Sequence, residues 1–357
     1  MHGLVWLQHY FTPCFYALIA ILGLLGNGLV ILILLNYQNM KTIPNVYILN
    51  LAIVDFVFVL NLPLLAYQIA TNNWPFGNFM CKFAGGIDTL NQYASIYTLA
   101  LMSVDRLIAV VYPLSSMRYR TKKIARSLCA TVWVFSGIFS IPIVILQTTT
   151  THEGSSLTMC AILNLTDTQH YAYLFVTVIC GFLLPLLIIS VCYITLMFQI
   201  SSSTLPISSD GSAAQRAQKR VSVLVVSVIV VFVVCWLPYY VVQFVAAFSN
   251  MTPTLAVVYT ITTCWCYANS LFNPFIYTFI GENFKRNLLL MLGCARSGVR
   301  RNERNFSVKD SSGAVVLRHI NHETRHANQS CMITDVTSFI DNTKTRQTYS
   351  KINPNNL

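Results

Sequence analysis

The stretch GGIDTLNQYAS places an acidic side chain, Asp88, inside a long run of apolar residues. If that run lies in a lipid bilayer, an unpaired carboxylate is energetically costly. The other long apolar segments contain no Lys or Arg, so we expect the partner to be a cation carried by a ligand. Gln92, one helical turn further on, shares the same helix face. The alternative is that a tyrosine hydroxyl, such as that of Tyr267, satisfies the carboxylate.

A second acidic residue, Asp55, falls near the middle of another apolar segment. The polar residues that we expect around it are Asn27, Ser95, Asn269 and Asn273. Oxygen-rich clusters of this kind suit a hydrated monovalent cation, and they also suit a network of ordered water. The sequence therefore predicts either a sodium site or a water network here, and no required cofactor.

A charged pair, Asp105 and Arg106, lies 17 residues beyond Asp88 (105 minus 88), which is about 25 Å along a helix. Such a pair at a helix end can simply reach the membrane surface. The proline-containing stretches FVVCWLP and NPFIY in later segments weaken that simple interpretation. The apolar segments contain no histidine, so an intramembrane enzyme is disfavoured.

The composition indicates an integral membrane protein, because 55% of the 357 residues are hydrophobic and only 10% are charged. Segments of about 20 apolar residues can cross a bilayer as helices. Seven qualify: Phe15–Leu35, Asn45–Tyr67, Phe83–Val104, Ser127–Leu146, Tyr171–Phe198, Val221–Phe248 and Leu255–Ile280. We predict an all-α membrane protein, a seven-transmembrane helix bundle followed by a short amphipathic eighth helix at ENFKRNLLLMLGC.

Basic residues orient the chain in the membrane. The loops after segments one, three and five, together with the tail, hold 22 of the 23 Lys and Arg residues, and only Lys82 lies on the other side. By the positive-inside tendency, the amino terminus is extracellular and the carboxyl terminus cytoplasmic, as in a multi-pass plasma membrane protein. The basic side faces anionic membrane lipid, and nothing indicates nucleic-acid binding.

Cysteines and sequons indicate covalent modifications. Cys81 and Cys160 are the two cysteines on the extracellular side beyond the first segment, so a disulfide between them is the economical pairing. Asn164 heads a glycosylation sequon, NLT. Cys294 follows the amphipathic stretch and is either palmitoylated or a plain thiol.

The chain divides into three predicted regions. Residues 1–13 form a short extracellular amino terminus, residues 14–293 the seven-helix bundle with the amphipathic helix that follows it, and residues 294–357 a polar, disordered cytoplasmic tail. Five prolines fall inside the segments: Pro63, Pro142, Pro185, Pro238 and Pro274. Each kinks its helix and leaves a carbonyl that a neighbour or water must satisfy. These kinks act as hinges or only shape the packing.

Together these motifs resemble the rhodopsin-like G-protein-coupled receptors, over about residues 14–294. The motifs are GN at Gly26 and Asn27, LAIVD ending at Asp55, Cys81, the DR pair, Trp133, Pro185 with Tyr193, CWLP around Trp236, and NPFIY from Asn273 to Tyr277. KTIPNVYILNLAIVD, IDTLNQYAS and CWLPYYVVQ are similar to the somatostatin, melanin-concentrating hormone and opioid cluster of peptide receptors.

This resemblance implies that Asp88 engages a basic group of an extracellular peptide. The implied ligand cavity comprises Gln68, Gln92, Tyr239, Gln243 and Tyr267, with Trp236 at its floor. The implied allosteric sodium site comprises Asp55, Ser95, Asn269 and Asn273. The implied activation switches are Asp105, Arg106, Tyr193, Pro238, Asn273, Pro274 and Tyr277. The implied partners are a heterotrimeric G protein of the inhibitory class, arrestin and receptor kinases acting on the tail, and membrane lipid.

The alternative function is that of an amine-type small-molecule receptor, which also uses an aspartate in segment three. Such receptors place serines in the outer half of segment five, and YAYLFVTVICGF has none. A retinal photoreceptor needs a lysine in segment seven, which is absent. Transporter repeats are also absent from the sequence. One departure from the family pattern is Leu107 after the DR pair, where we expect an effect on basal activity.

Overall fold

The computed structural model describes residues 6–151, 157–162, 165–202 and 213–293. Within these residues, seven helices are long and apolar enough to cross a membrane, so the predicted seven-helix bundle is confirmed. They are α1 (Thr12–Asn36, preceded by a π-helical turn at Leu7–Phe11), α2 (Ile43–Thr71), α3 (Gly77–Val111), α4 (Lys122–Leu146), α5 (Asp167–Val178 and Leu184–Ser202, joined by a π-helical turn at Ile179–Leu183), α6 (Ala213–Phe248) and α7 (Pro253–Tyr267 and Asn269–Ile280).

The helices run beyond the apolar segments predicted for them. For example, α3 begins at Gly77 rather than at Phe83. The length of an apolar segment reflects only the thickness of the hydrocarbon core of the bilayer. Helical hydrogen bonding continues beyond that segment until a cap ends the helix. Threonine hydroxyls provide such caps at the starts of α4, α5 and α7, where Thr121, Thr166 and Thr252 each accept a backbone N–H three residues further on.

Helix α3 occupies the centre of the bundle. In the most apolar 18-residue stretch of α3, 61% of the residues are buried. In the corresponding stretch of α4, 28% of the residues are buried. It packs against α2, α4 and α5. A central helix turns most of its faces toward other helices, so polar residues on α3 meet protein groups rather than lipid.

A β-hairpin lies at one end of the bundle, which we call the hairpin end. Strands β1 (Gln147–Thr151) and β2 (Thr158–Ile162) pair antiparallel, and the predicted disulfide between Cys81 and Cys160 joins β2 to the start of α3. The backbone N–H of Trp74 donates to the carbonyl of Thr158 over 2.6 Å. The hairpin is therefore fixed to both α3 and the α2–α3 loop.

The proline in α6 leaves a carbonyl that a neighbouring helix satisfies. Pro238 has no N–H to donate to the carbonyl of Val234, four residues earlier. The indole N–H of Trp265, on α7, donates to that carbonyl over 3.1 Å. Both side chains are about half exposed on the apolar surface of the bundle, Val234 at 52% and Trp265 at 41%, where no water competes for the bond.

The same pattern occurs at α5 and α7. The π-helical turn before Pro185 leaves the carbonyls of Cys180 and Gly181 open, and the Tyr97 and Tyr240 hydroxyls donate to them over 2.9 and 3.3 Å. Pro274 leaves the carbonyl of Ser270 open, and the Asn27 amide donates to it over 3.0 Å. As the sequence predicted, neighbouring helices satisfy the backbone at these prolines.

A further helix, α8 (Glu282–Met291), follows α7 at the end of the bundle opposite the hairpin. Asn287 exchanges side-chain hydrogen bonds with Asn39, and Glu282 forms an exposed ion pair with Arg220. The compact bundle ends at Asn287, and residues from Leu288 form a separate unit, described only to residue 293.

Candidate functional site

Asp88 lies half-buried on α3, near the hairpin end. Its Oδ2 atom accepts a hydrogen bond from the Tyr267 hydroxyl over 2.8 Å. Among the described residues, the acidic partners in ion pairs are Asp105 and Glu282, so no described Lys or Arg neutralises Asp88. The tyrosine considered in the sequence analysis is therefore present, but it is a neutral donor that leaves the negative charge in place.

Tyrosines on four helices lie within electrostatic range of this carboxylate. Five of them are close enough to interact with it electrostatically: Tyr16 on α1, Tyr173 on α5, Tyr239 on α6, and Tyr259 and Tyr267 on α7. The Tyr267 ring packs against Tyr16 and Phe58, with centroids 5.2 and 5.1 Å apart. Aromatic faces around a carboxylate attract an organic cation both by charge and by cation–π contact.

Gln92 and Trp236 lie deeper, below Asp88. The Gln92 amide donates to the Tyr240 hydroxyl, and the Tyr240 ring packs against Trp236 with centroids 6.0 Å apart. Trp236 is 5% exposed, and its indole N–H has no hydrogen-bond partner among the described residues. The Tyr239 ring also contacts Trp236, at 6.0 Å. A group that reached Tyr239 or Tyr240 would therefore press on Trp236.

Two further predicted cavity residues carry open acceptors. Gln68 donates its amide to the carbonyl of Cys160 over 3.1 Å, which ties α2 to the hairpin. The side-chain carbonyl oxygens of Gln68 and Gln243 are buried and have no hydrogen-bond partner in the described part of the chain. Buried acceptors without donors are costly, so both can receive an N–H or O–H from a ligand or from water.

Asp55 is fully buried at the junction of α2, α3 and α7. Its carboxylate accepts hydrogen bonds from Asn273 over 2.7 Å, Ser270 over 2.8 Å and Asn91 over 3.3 Å. Of the four residues predicted around it, only Asn273 donates to it directly. Asn27 instead donates to the carbonyls of Gly23 and Ser270.

Three side-chain oxygens predicted for the sodium site are open to a further partner. Ser95 Oγ, Asn269 Oδ1 and Asn273 Oδ1 are buried and lack hydrogen-bond partners among the described residues. One carboxylate with neutral oxygens matches the charge of a monovalent cation. In the described part of the chain, no group of three or more His, Cys, Asp or Glu side chains could hold a metal ion.

The Asp105–Arg106 pair is buried at the opposite end of α3. Arg106 bonds to Asp105 over 2.6 Å, and both residues are 7% exposed or less. Arg120, in the connection to α4, makes two further bonds to the same carboxylate, each 2.9 Å long. Asp105 is thus held between two guanidinium groups rather than one.

The other predicted switch residues lie along α5, α6 and α7. Pro238 and Pro274 are within their helices, and Asn273 binds Asp55. Tyr277 is 1% exposed, and its hydroxyl has no partner among the described residues. Tyr193 is half-buried on α5.

Comparison with known proteins decides the family. A model of the seven-transmembrane receptors of the rhodopsin family matches residues 26–277. The chain belongs to this family. The protein is therefore a receptor and not an enzyme.

The curated relatives of the receptor include somatostatin receptors. Somatostatin receptor type 5 of Rattus norvegicus is 38% identical over 290 residues, covering 80% of this chain and 78% of the relative. Type 2 of Mus musculus is 36% identical and covers 83% and 81%. Type 4 of Rattus norvegicus is 36% identical and covers 79% and 72%.

Several residues of the receptor's sites escaped the sequence-based prediction. These are Tyr16, Tyr173 and Tyr259 around Asp88, Tyr240 beside Gln92, Asn91 and Ser270 at Asp55, and Arg120 at Asp105. Residue type alone did not assign them to a site, because tyrosine and asparagine occur throughout the apolar segments. Helical spacing does place Asn91 on the face of Ser95, four residues on.

Asn164 and Cys294, predicted to be modified, lie outside the described residues.

Proposed function

We propose that the receptor binds a basic extracellular peptide at its hairpin end and activates heterotrimeric G proteins of the inhibitory class. The observation that carries this proposal is that Asp88, near the hairpin end, accepts a hydrogen bond from Tyr267 and has no described Lys or Arg as an ion-pair partner. The somatostatin receptors among its relatives support a peptide ligand. The distribution of Lys and Arg supports an extracellular hairpin end.

Physical chemistry favours a cation as the missing partner. Asp88 is half-buried and, among the described residues, accepts a hydrogen bond from one neutral donor, so its carboxylate keeps an uncompensated part of its desolvation cost. A Lys or Arg side chain of a peptide would offset that cost and would also contact the tyrosine faces. Removing one member of a buried ion pair costs about 3–5 kcal/mol, which is on the order of 100-fold or more in affinity.

The direct test is a panel of somatostatin-like, melanin-concentrating-hormone-like and opioid-like peptides on cells that express the receptor. Suppression of cyclic AMP is measured together with calcium, which separates inhibitory coupling from other G proteins. For the best peptide, Asp88→Asn should reduce potency on the order of 100-fold without lowering surface expression. Asp167→Asn is the matched control, because Asp167 is exposed at the same end on α5. The absence of a response to every peptide of the panel, or equal effects of Asp88→Asn and Asp167→Asn, would contradict the proposal.

The second candidate is an amine-type receptor, because a single ammonium group would also satisfy Asp88. The outer half of α5 argues against catechol amines, since it offers no serine, and its buried Thr177 donates to its own helix over 2.8 Å. A response to amines at potencies above those of all peptides would favour this alternative.

We also propose that Asp55, Ser95, Asn269 and Asn273 hold an allosteric sodium ion. The unpartnered oxygens of three of these residues support the proposal. A bound sodium ion supplies positive charge to Asp55, while the asparagine and serine side chains keep the carboxylate oriented.

A further inference from the structure

The hairpin side of the receptor carries a single Lys or Arg side chain. By the predicted topology, Lys82 is the one basic residue of the 23 in the chain that belongs to this side, and the apolar segments contain none. The acidic residues on the same side are Asp88, Glu153 and Asp167. With histidine counted as neutral, the fixed charges that a ligand meets here are therefore mostly negative.

The ammonium group of Lys82 is engaged by the fold. Lys82 is half-buried near the start of α3, and its Nζ atom donates to the carbonyls of Val144 over 2.9 Å and Ile145 over 3.0 Å. Both carbonyls belong to the last turn of α4, where the helix has no further N–H to offer them. The negative end of the helix dipole also favours a cation at this place. Lys82 thus caps α4, and a ligand carboxylate would have to compete with a helix end for it.

The groups near Asp88 offer no cation either. The tyrosines within electrostatic range of its carboxylate are phenols, which are uncharged near neutral pH. Of the predicted cavity residues, Gln243 presents an open carbonyl oxygen and Trp236 an open indole N–H, both neutral. A ligand carboxylate that entered this region would lose water without gaining an ion pair, and Asp88 would repel it.

The repulsion reaches the neighbours of the ligand's basic residue. Consecutive Cα atoms of a peptide are about 3.8 Å apart, so a carboxylate on a flanking residue stays within roughly 10 Å of Asp88 once the cation is in place. Salt screens partly buried charges much less than exposed ones. The sign of the charge next to the basic residue therefore affects binding, and not only the charge of the basic residue itself.

We propose that the receptor selects ligands whose basic residue is flanked by uncharged residues and rejects a carboxylate beside it. The rejected group is the side chain of Asp or Glu, or the free carboxyl terminus of a peptide that ends at the basic residue. The inference rests on the proposed function and deepens it, because it specifies the charge pattern of the ligand. A basic residue in the interior of a peptide, or one that carries a terminal amide, satisfies this requirement.

Matched peptides test the proposal on the unsubstituted receptor. The most potent peptide of the panel is made with Gln or with Glu next to its basic residue, on the flank where Gln preserves the response. Gln and Glu have nearly the same shape, so the two peptides differ chiefly in charge. We expect the Glu peptide to be about tenfold or more weaker in competition binding and in suppression of cyclic AMP. Equal potency of the two peptides would overturn the proposal.

Lys82→Gln separates the proposal from its nearest alternative, in which Lys82 leaves α4 and pairs with a carboxylate of the ligand. We expect the ratio of the two peptide affinities to be the same in Lys82→Gln as in the unsubstituted receptor, because Lys82 is occupied by Val144 and Ile145. The ratio compares two peptides on one receptor, so a change in expression does not affect it. A larger ratio in Lys82→Gln would show that Lys82 serves ligand carboxylates and would overturn the proposal.

Asp88→Asn distinguishes failure of this inference from failure of the proposed function. If Asp88→Asn cripples the response to the Gln peptide while the Glu and Gln peptides act equally on the unsubstituted receptor, the inference fails and the proposed function stands. If Asp88→Asn leaves the response to the Gln peptide unchanged, or no peptide of the panel acts, the proposed function fails and the inference with it.

Discussion

Among the described residues, the Asp88 carboxylate has a hydrogen-bond donor on one oxygen only. Tyr267 bonds to Oδ2, and the packing of its ring against Tyr16 and Phe58 fixes the direction of that bond. The hydroxyl can stay in place while a ligand cation approaches the other oxygen. We therefore interpret Tyr267 as a group that orients Asp88 before the ligand arrives, so that less ordering is needed on binding.

Tyr267→Phe separates orientation from charge. It keeps the ring and removes the hydroxyl, so the carboxylate keeps its charge but loses its fixed direction. We expect a loss of peptide affinity of about tenfold or less, far below that of Asp88→Asn. Competition binding on membranes measures both variants. A Tyr267→Phe loss as large as that of Asp88→Asn would show that the hydroxyl itself is the principal ligand contact.

Asp55 gives a prediction that depends on the salt present. If sodium occupies the oxygen cluster, replacing NaCl with N-methylglucamine chloride changes the agonist affinity and lowers the thermal stability of the purified receptor, because ligands that bind only the folded state stabilise it. Asp55→Asn removes the charge that attracts the ion and should abolish both dependences. Equal sodium dependence in Asp55→Asn and the unsubstituted receptor would leave only ordered water at this site.

The helices of this bundle are joined at their prolines. The carbonyls opened by Pro238, Pro185 and Pro274 receive donors from Trp265, Tyr240 and Asn27, each on a different helix. These bonds connect α6 to α7, α5 to α6, and α7 to α1. Any movement of α6 at its kink must break, or carry along, its bonds to α5 and α7.

Trp265→Phe tests the α6–α7 connection. It keeps an aromatic ring on the apolar surface and removes the N–H, so the carbonyl of Val234 loses its donor in a region without water. We expect a destabilisation of about 1–3 kcal/mol, seen as a lower melting temperature in detergent, and a higher agonist-independent signal. Phe275→Leu is the control, because Phe275 is a 48% exposed ring on the same helix. Equal melting temperatures for the two variants would contradict a role for the bond.

For the molecule as a whole, the hairpin closes one end through covalent and hydrogen-bonded links. The disulfide joins residues 79 positions apart, and Gln68 and Trp74 add bonds from α2 and the loop after it. The hairpin thus forms a fixed rim at the same end of the bundle as Asp88. A rim of this kind limits how a peptide can enter.

Cys81→Ser with Cys160→Ser tests the rim. Loss of the cross-link should cost about 2–5 kcal/mol of stability and reduce peptide affinity, because Gln68 and β2 lose their fixed positions. Surface expression and peptide binding are measured beside Cys14→Ser, an exposed free cysteine on α1. Unchanged peptide affinity in the double variant would show that the rim does not position the ligand.

The order of the helices, the disulfide and the need for donors at the prolines were all predictable from the sequence. Apolar length identifies a membrane helix, and a missing N–H identifies an open carbonyl. The identity of the donors was not predictable, since it depends on how each helix is rotated. The same limitation hid Arg120 at Asp105 and the tyrosines around Asp88. The amino-terminal turn at Leu7–Phe11 was missed because its polar residues ended the apolar segment early.

The most direct measurement is a double-mutant cycle between Asp88 and the basic residue of the best peptide. Binding is measured for the receptor and Asp88→Asn, each with the native peptide and with a peptide whose basic side chain is replaced by a neutral one of similar size. We predict that either single change lowers affinity on the order of 100-fold and that the second change adds little. Losses that simply add would contradict a direct ion pair between the peptide and Asp88.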